Sequence, residues 1–210
     1  MDSKLYWANK HKKYSTEDWI NKPTIFAQFA INYFSKNGSL LDLGAGQGQD
    51  SRFFAEKGYL TTATEYSETA VELAIHQKPE LKVKYIVHNL EDKLPFNDQS
   101  FDIVYSHLSI QFFDDKTTEK IFMEIRRVLK MCGILAIMVN TKADPQLKLS
   151  KFLYDDLYEA QDGLIKRFYS EESLAKFTSN KFETILLDSN GETFKDEIKT
   201  LIRYIGKKVT

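Results

Sequence analysis

The stretch Leu40-Leu41-Asp42-Leu43-Gly44-Ala45-Gly46-Gln47-Gly48-Gln49-Asp50 limits what this chain can fold into more than any other. A short apolar run breaks into glycines at alternate positions and then restarts at helical spacing. It reads as a buried first strand, a tight turn and a helix start. Glycine at those positions permits backbone conformations with positive φ and removes side chains, so that a ligand can come close to the main chain. Such a turn is a nucleotide-type binding loop. An acidic residue, Glu65, follows about twenty residues later at the end of the next apparent strand, where the ribose hydroxyls of such a ligand lie.

Two ligand classes use this kind of turn. A dinucleotide loop reads G-x-G-x-x-G, with a helix N-terminus facing a diphosphate. Here Gly44, Gly46 and Gly48 give G-x-G-x-G, and Asp50 falls in the first helical turn. A carboxylate suits the helix dipole there but repels a diphosphate. A nucleoside ligand without phosphates fits better.

The chain around this loop alternates strand and helix. Pro23 opens a helix whose apolar residues Ile25, Phe26, Phe29, Ala30, Tyr33 and Phe34 recur at helical spacing until Asn37-Gly38. After the loop come a helix from Gln49 to Lys57 stopped by Gly58, a strand from Tyr59 to Thr64, and a helix capped by Ser67 running from Glu68 to about Gln77. Strands follow at Val83 to His88 and Phe101 to Tyr105, then a helix from about Lys116 to Lys130 and a strand from Gly133 to Val139. This pattern predicts right-handed crossovers and a parallel sheet covered on both faces. In the last third, Gln146 to Ala160 read as a helix and Ser170-Glu171-Glu172 start a short one. Phe182 to Leu187 and Thr200 to Val209 read as strands, separated by Ser189-Asn190-Gly191 and a charged loop.

Composition narrows the partners. The chain has 210 residues, with 29 Lys and Arg against 30 Asp and Glu, so no global field draws it to nucleic acid or an anionic membrane. A small-molecule partner fits better, and neither a nucleic-acid nor a membrane partner is expected. Cys132 is the single cysteine, which leaves no disulfide framework or cysteine metal site, and the scattered histidines show no metal spacing. No metal is expected. These features, with no apolar stretch of signal length, predict a soluble, cytoplasmic protein. Oligomeric state is not legible. One domain is expected: residues 1–22 an aromatic strap or lid, 39–140 a ligand-binding core, and 141–180 a cap with late helices.

Taken in order, Asp42-Leu43-Gly44-Ala45-Gly46-Gln47-Gly48, Glu65, Asn89-Leu90 before Leu94-Pro95-Phe96, Phe101-Asp102-Ile103-Val104, and Arg127-Val128-Leu129-Lys130 before Gly133 resemble the class I S-adenosylmethionine-dependent methyltransferases. The resemblance covers about residues 39 to 140 and looks closest to the small-molecule branch. It implies a Rossmann-like α/β fold with a seven-stranded, mostly parallel sheet, the last strand antiparallel and helices on both faces. It also implies S-adenosylmethionine as cofactor, S-adenosylhomocysteine as product and methyl transfer to a small-molecule acceptor, with a protein acceptor or a non-catalytic S-adenosylmethionine-binding module as the alternatives. In that correspondence Asp42 accepts from the ligand's ammonium, directly or through water, and the N–H groups of the loop at Gly44, Ala45, Gly46 and Gly48 meet its carboxylate end. Glu65 accepts from the ribose hydroxyls and Tyr66 lies along the adenine. Asn89 stands where the family usually has Asp; its amide oxygen can accept from the adenine amino group, while the Leu90 N–H serves a ring nitrogen. Ser106 also lines the cofactor. A second departure is Met131-Cys132-Gly133, where the family usually reads Pro-Gly-Gly.

Methyl transfer asks for alignment and exclusion of water, and for a base only if the acceptor arrives protonated. His107, following the fourth strand, is the candidate base, with lining and structural roles as alternatives. Trp7, Trp19, Phe112, Phe113 and Tyr169 are candidates for an acceptor pocket, or for core. His88, at a strand end, reads as structural or exposed, and His11 and His76 have no partner visible in the sequence.

Overall fold

The computed structural model describes residues 3–194 and 200–209. Residues 1–2, part of the expected N-terminal strap, and residues 195–199 of the charged loop lie outside the described residues. Helix α1 (Ser3–Tyr14) and a 3-10 turn at Asp18–Asn21 precede α2 (Ile25–Ala30). The alternating core follows as β1 (Ser39–Leu43), α3 (Gln49–Glu56), β2 (Leu60–Glu65), α4 (Glu68–Gln77), β3 (Lys84–Val87), β4 (Phe101–His107), α5 (Asp115–Val128) and β5 (Leu129–Asn140). The remainder is β6 (Lys151–Tyr154), β7 (Leu157–Glu159), β8 (Ile165–Arg167), α6 (Glu171–Thr178), β9 (Phe182–Gly191) and β10 (Leu201–Lys208).

The main sheet has seven strands in the order β3-β2-β1-β4-β5-β10-β9. β1 to β5 pair in parallel, and β10 runs antiparallel to both its neighbours. Alternation along the strands builds two cores. Leu41, Leu43, Val104, Leu135 and Ile137 pack under α5 and α6 with Phe122, Ile125 and Phe177. Leu40, Ile103, Tyr105, Ala136 and Met138 face α2 and α3 through Phe26, Ala30 and Phe54. Strand order reverses between β1 and β4, so the crevice for a ligand lies outside the carboxyl ends of those strands.

Local signals placed the helix starts. The side chains of Ser67, Asp114 and Ser170 accept from the backbone N–H groups of Ala70, Thr117 and Ser173. The start at Pro23 needs correction: Thr24 is the cap of α2, its Oγ1 accepting from Ala27 N at 3.1 Å, and Pro23 stands outside. The helix is also shorter than expected, tightening into a 3-10 turn at Ile31–Tyr33. β5 starts at Leu129 rather than Gly133, with Cys132 at φ +62° in its early residues.

The largest correction is at 146–160. In place of a helix there is a 3-10 turn at Pro145–Leu149 capped by Asp144, then a three-stranded antiparallel sheet β6-β7-β8. Phe152 pairs across to Tyr158, and Asp155 takes φ +49° in the turn between β6 and β7. The apolar residues fit both periods over so short a run, and aromatic cross-strand pairing decided for strand. No helix among the described residues is long and apolar enough to cross a membrane.

Candidate active site

The glycine loop is tied down by its own chain. Gly44 N and Ala45 N both donate to the Thr64 carbonyl, at 2.9 and 3.0 Å, and Gly48 N donates to the Ala45 carbonyl at 2.9 Å. Gly46 N donates to Glu65 Oε2 at 2.9 Å, while Glu65 Oε1 accepts from Ser67 N at 2.8 Å. All four of these loop N–H groups, expected to face a ligand carboxylate, are thus engaged within the protein. Glu65 keeps lone pairs for ribose hydroxyls, because a carboxylate has about four acceptor positions. The loop glycines also make room for protein. Gly44 and Gly48 have φ of +68° and +72°; a Cβ on Gly44 would fall 2.2 Å from Ser109 Cβ, and one on Gly48 would fall 2.4 Å from Tyr85 Oη.

Under the loop lie three buried acids. Asp42, 2% exposed, accepts from Ser51 Oγ at 2.5 Å. Asp50, 4% exposed, accepts from Thr24 N at 2.7 Å, Thr24 Oγ1 at 2.8 Å and Tyr105 Oη at 2.7 Å. Glu65 is the third, and none of the three takes part in an ion pair among the described residues. The guanidinium of Arg52 turns instead to the carbonyls of Gln47 and Ile20. Burial, then the neighbouring Asp50, push the Asp42 carboxyl up to about 8, against a smaller opposing effect of the Ser51 hydrogen bond.

This has a consequence for stability. The unfolded chain titrates Asp near 3.9, so between about pH 4 and 8 the folded state holds more protons at Asp42 than the unfolded state. The contribution of Asp42 to stability is full below that window and is lost as pH rises through it. Ligand-free melting temperatures from pH 5 to 8 should fall more steeply for the wild type than for Asp42→Asn; equal slopes would contradict the assignment.

The other expected residues fall around the same edge. Tyr66 is half-buried after β2. Asn89 makes a local turn, its Oδ1 accepting from Glu91 N at 3.1 Å, and Leu90 packs partly against the core. Ser106 is fully buried, and its hydroxyl lies 3.2 Å from the Leu43 carbonyl and 2.5 Å from Ser109 Oγ, so it braces the ends of β1 and β4. His107 is the last residue of β4 rather than beyond it. Its ring stacks near Phe26, with centroids 6.4 Å apart, and its Nε2 is buried without a partner. Burial pushes its pKa down, against an opposing pull from Asp50, which favours the neutral imidazole.

Helix α1 roofs this edge. Trp7 meets Phe112 edge-on at 5.1 Å, Ser3 Oγ is 3.4 Å from Tyr66 Oη, and Tyr6 Oη donates to Asp162 Oδ2 at 2.6 Å in the connection between β7 and β8. Trp19 pairs with Tyr14 at 5.2 Å. Tyr169 belongs to the core under α6.

Residues 41–137 match a family model described as a methyltransferase domain. The relatives and solved structures that the chain resembles are methyltransferases as well. The chain is 27% identical over 164 residues to a malonyl-[acyl-carrier protein] O-methyltransferase of Enterobacter lignolyticus, covering 77% of this chain and 61% of that protein. It is also 27% identical over 178 residues to a sarcosine/dimethylglycine N-methyltransferase of Halorhodospira halochloris, covering 80% of this chain and 57% of that protein. The chain therefore spans about three fifths of the length of these curated relatives. In fold it is similar to the 1,6-didemethyltoxoflavin-N1-methyltransferase of Burkholderia thailandensis, solved with 1,6-didemethyltoxoflavin and S-adenosylhomocysteine, with a TM-score of 0.76, 16% identity and coverage of 100% of this chain and 86% of that one.

The cofactor of this methyltransferase family is S-adenosylmethionine, and the residues present fit it. A nucleoside carrying a sulfonium and an ammonium answers three buried acids that have no cation of their own, and a cation beside Asp42 would favour its ionised form. A dinucleotide diphosphate would add negative charge to them. Asp50, legible in the sequence only as a helix-dipole residue, is the hub of this arrangement. Its role depends on Thr24 and Tyr105, which are distant along the chain.

Proposed function

We propose that this chain transfers a methyl group from S-adenosylmethionine to a small-molecule acceptor. The observation that carries the acceptor side is His107: a half-buried imidazole at the carboxyl end of β4 whose Nε2 is buried without a partner and whose pKa burial pushes down. It stands where ligands of an open α/β sheet bind. The Trp7–Phe112 pair supplies apolar surface for a small organic acceptor. Closure of α1 over the edge excludes water, which favours transfer over side reactions. The reactive methyl is supplied by the cofactor's sulfonium. What the chain adds is alignment, a dry site, and an acceptor for the proton of the incoming nucleophile at His107 Nε2. Of the curated relatives named above, the sarcosine/dimethylglycine N-methyltransferase is named for small free acceptors, which supports this reading, while the O-methyltransferase is named for a malonyl group borne on a carrier protein.

The test is an acceptor screen with carboxylic acids, phenols and amines, run with wild type and His107→Ala side by side. The variant should lose about 100-fold or more in kcat while its affinity for S-adenosylhomocysteine stays within about twofold of wild type. Full turnover by the variant would remove His107 as the base.

A further inference from the structure

Helix α1 carries one polar group into the cofactor site that the sequence left without a role. Ser3, Trp7 and His11 recur every four residues and so share a face of α1. That face meets Tyr66, Phe112 and the glycine loop in turn. At the loop the approach is close: a Cβ on Gly46 would lie 3.1 Å from His11 Cε1 and 3.8 Å from its Nδ1. Gln47 Nε2 donates to the His11 carbonyl at 2.7 Å, which fixes the backbone of α1 there. His11 is 8% exposed, and its Nδ1 is buried with no hydrogen-bond partner.

A buried ring nitrogen left unpaired is costly, and such a group calls for an explanation. The loop supplies one. The ligand's amino-acid end carries a carboxylate, yet the N–H groups of Gly44, Ala45, Gly46 and Gly48 are already spent on Thr64, Ala45 and Glu65. Asp42, Asp50 and Glu65 suit the ligand's cations and repel that carboxylate. It needs a donor from outside the loop, and His11 stands over the loop with one unused.

We propose that His11 is a cofactor-positioning residue whose Nδ1–H donates to the carboxylate of the cofactor's amino-acid end, so that α1 reads that end of the ligand. The proposal rests on the S-adenosylmethionine reading of the site. It extends that reading to a residue outside the central sheet and makes Gly46 the position that lets α1 descend.

The experiment compares two ligands by calorimetry: S-adenosylhomocysteine, which has the amino-acid end, and 5′-methylthioadenosine, which lacks it. The proteins are wild type, His11→Ala and His11→Asn. Losing one hydrogen bond to a charged group should weaken binding of S-adenosylhomocysteine to His11→Ala by about tenfold or more. Binding of 5′-methylthioadenosine should stay within about twofold, and His11→Asn, which keeps an N–H donor, should recover part of the loss. Equal weakening of both ligands in His11→Ala would make His11 merely part of a roof and overturn the proposal, as would unchanged affinity for both. Wild type that binds neither ligand would overturn the cofactor reading together with it; wild type that binds S-adenosylhomocysteine with its preference intact in His11→Ala would overturn only the role of His11.

Discussion

Arg167→Met should destabilise the protein by about 3–5 kcal/mol, the usual cost of stranding one member of a buried ion pair. The Arg167 side chain is 2% exposed and pairs with Asp156, itself 5% exposed, and with the half-exposed Asp115 at the start of α5. Its guanidinium also lies over the rings of Tyr169 and Phe177, at 5.6 and 5.4 Å. The backbone around it ties the small sheet to the main one: Arg167 N donates to Gln111 O, Phe168 N to Asp156 O and Tyr169 N to Asn140 O. One side chain therefore joins the β6-β7-β8 sheet, α5 and the segment after β4 that carries Phe112. For a chain of this length the loss corresponds to a fall in melting temperature of about 10 °C. Adding Asp156→Leu should restore most of it, because the stranded carboxylate is what costs. Denaturant unfolding of both variants checks this; a single variant within about 1 kcal/mol of wild type, or a double variant no better than the single, would contradict it.

Glu65→Ala should have the largest effect on binding. The carboxylate holds Gly46 N and Ser67 N, so it shapes the glycine loop and the start of α4 together. In the S-adenosylmethionine reading it also accepts from the ribose. Two or more charge-assisted hydrogen bonds lost at once predict a rise in the Kd for S-adenosylhomocysteine of about 100-fold or more. Glu65→Gln keeps an acceptor oxygen and should lose less. Affinity of the Ala variant within about threefold of wild type would contradict both roles.

Much of the fold was legible because its signals are local. Ser67, Asp114 and Ser170 announce helix starts through side chains that bond N–H groups three residues on, and the strand and helix periods did the rest. Residues 146–160 were misread because a short aromatic run satisfies both periods, and the choice was made by pairing with β7 and β8. In the site, the glycines and Glu65 could be read from spacing, but their environment could not. Ser109 above Gly44, Tyr85 above Gly48 and His11 above Gly46 all come from distant parts of the chain. The same is true of Asp50, whose partners Thr24 and Tyr105 lie 26 and 55 residues away, and of Ser106, whose hydroxyl turns inward to Leu43.

The central claim is that the glycine loop, Glu65 and the buried acids form a site for a phosphate-free, cationic nucleoside cofactor. Thermal unfolding of the wild type with S-adenosylhomocysteine and, separately, with NAD tests it most directly. At about 100 times its Kd, S-adenosylhomocysteine should raise the melting temperature by about 5–10 °C, as binding linkage requires for a chain of this size, and NAD should leave it unchanged. Stabilisation by NAD without stabilisation by S-adenosylhomocysteine would contradict the account.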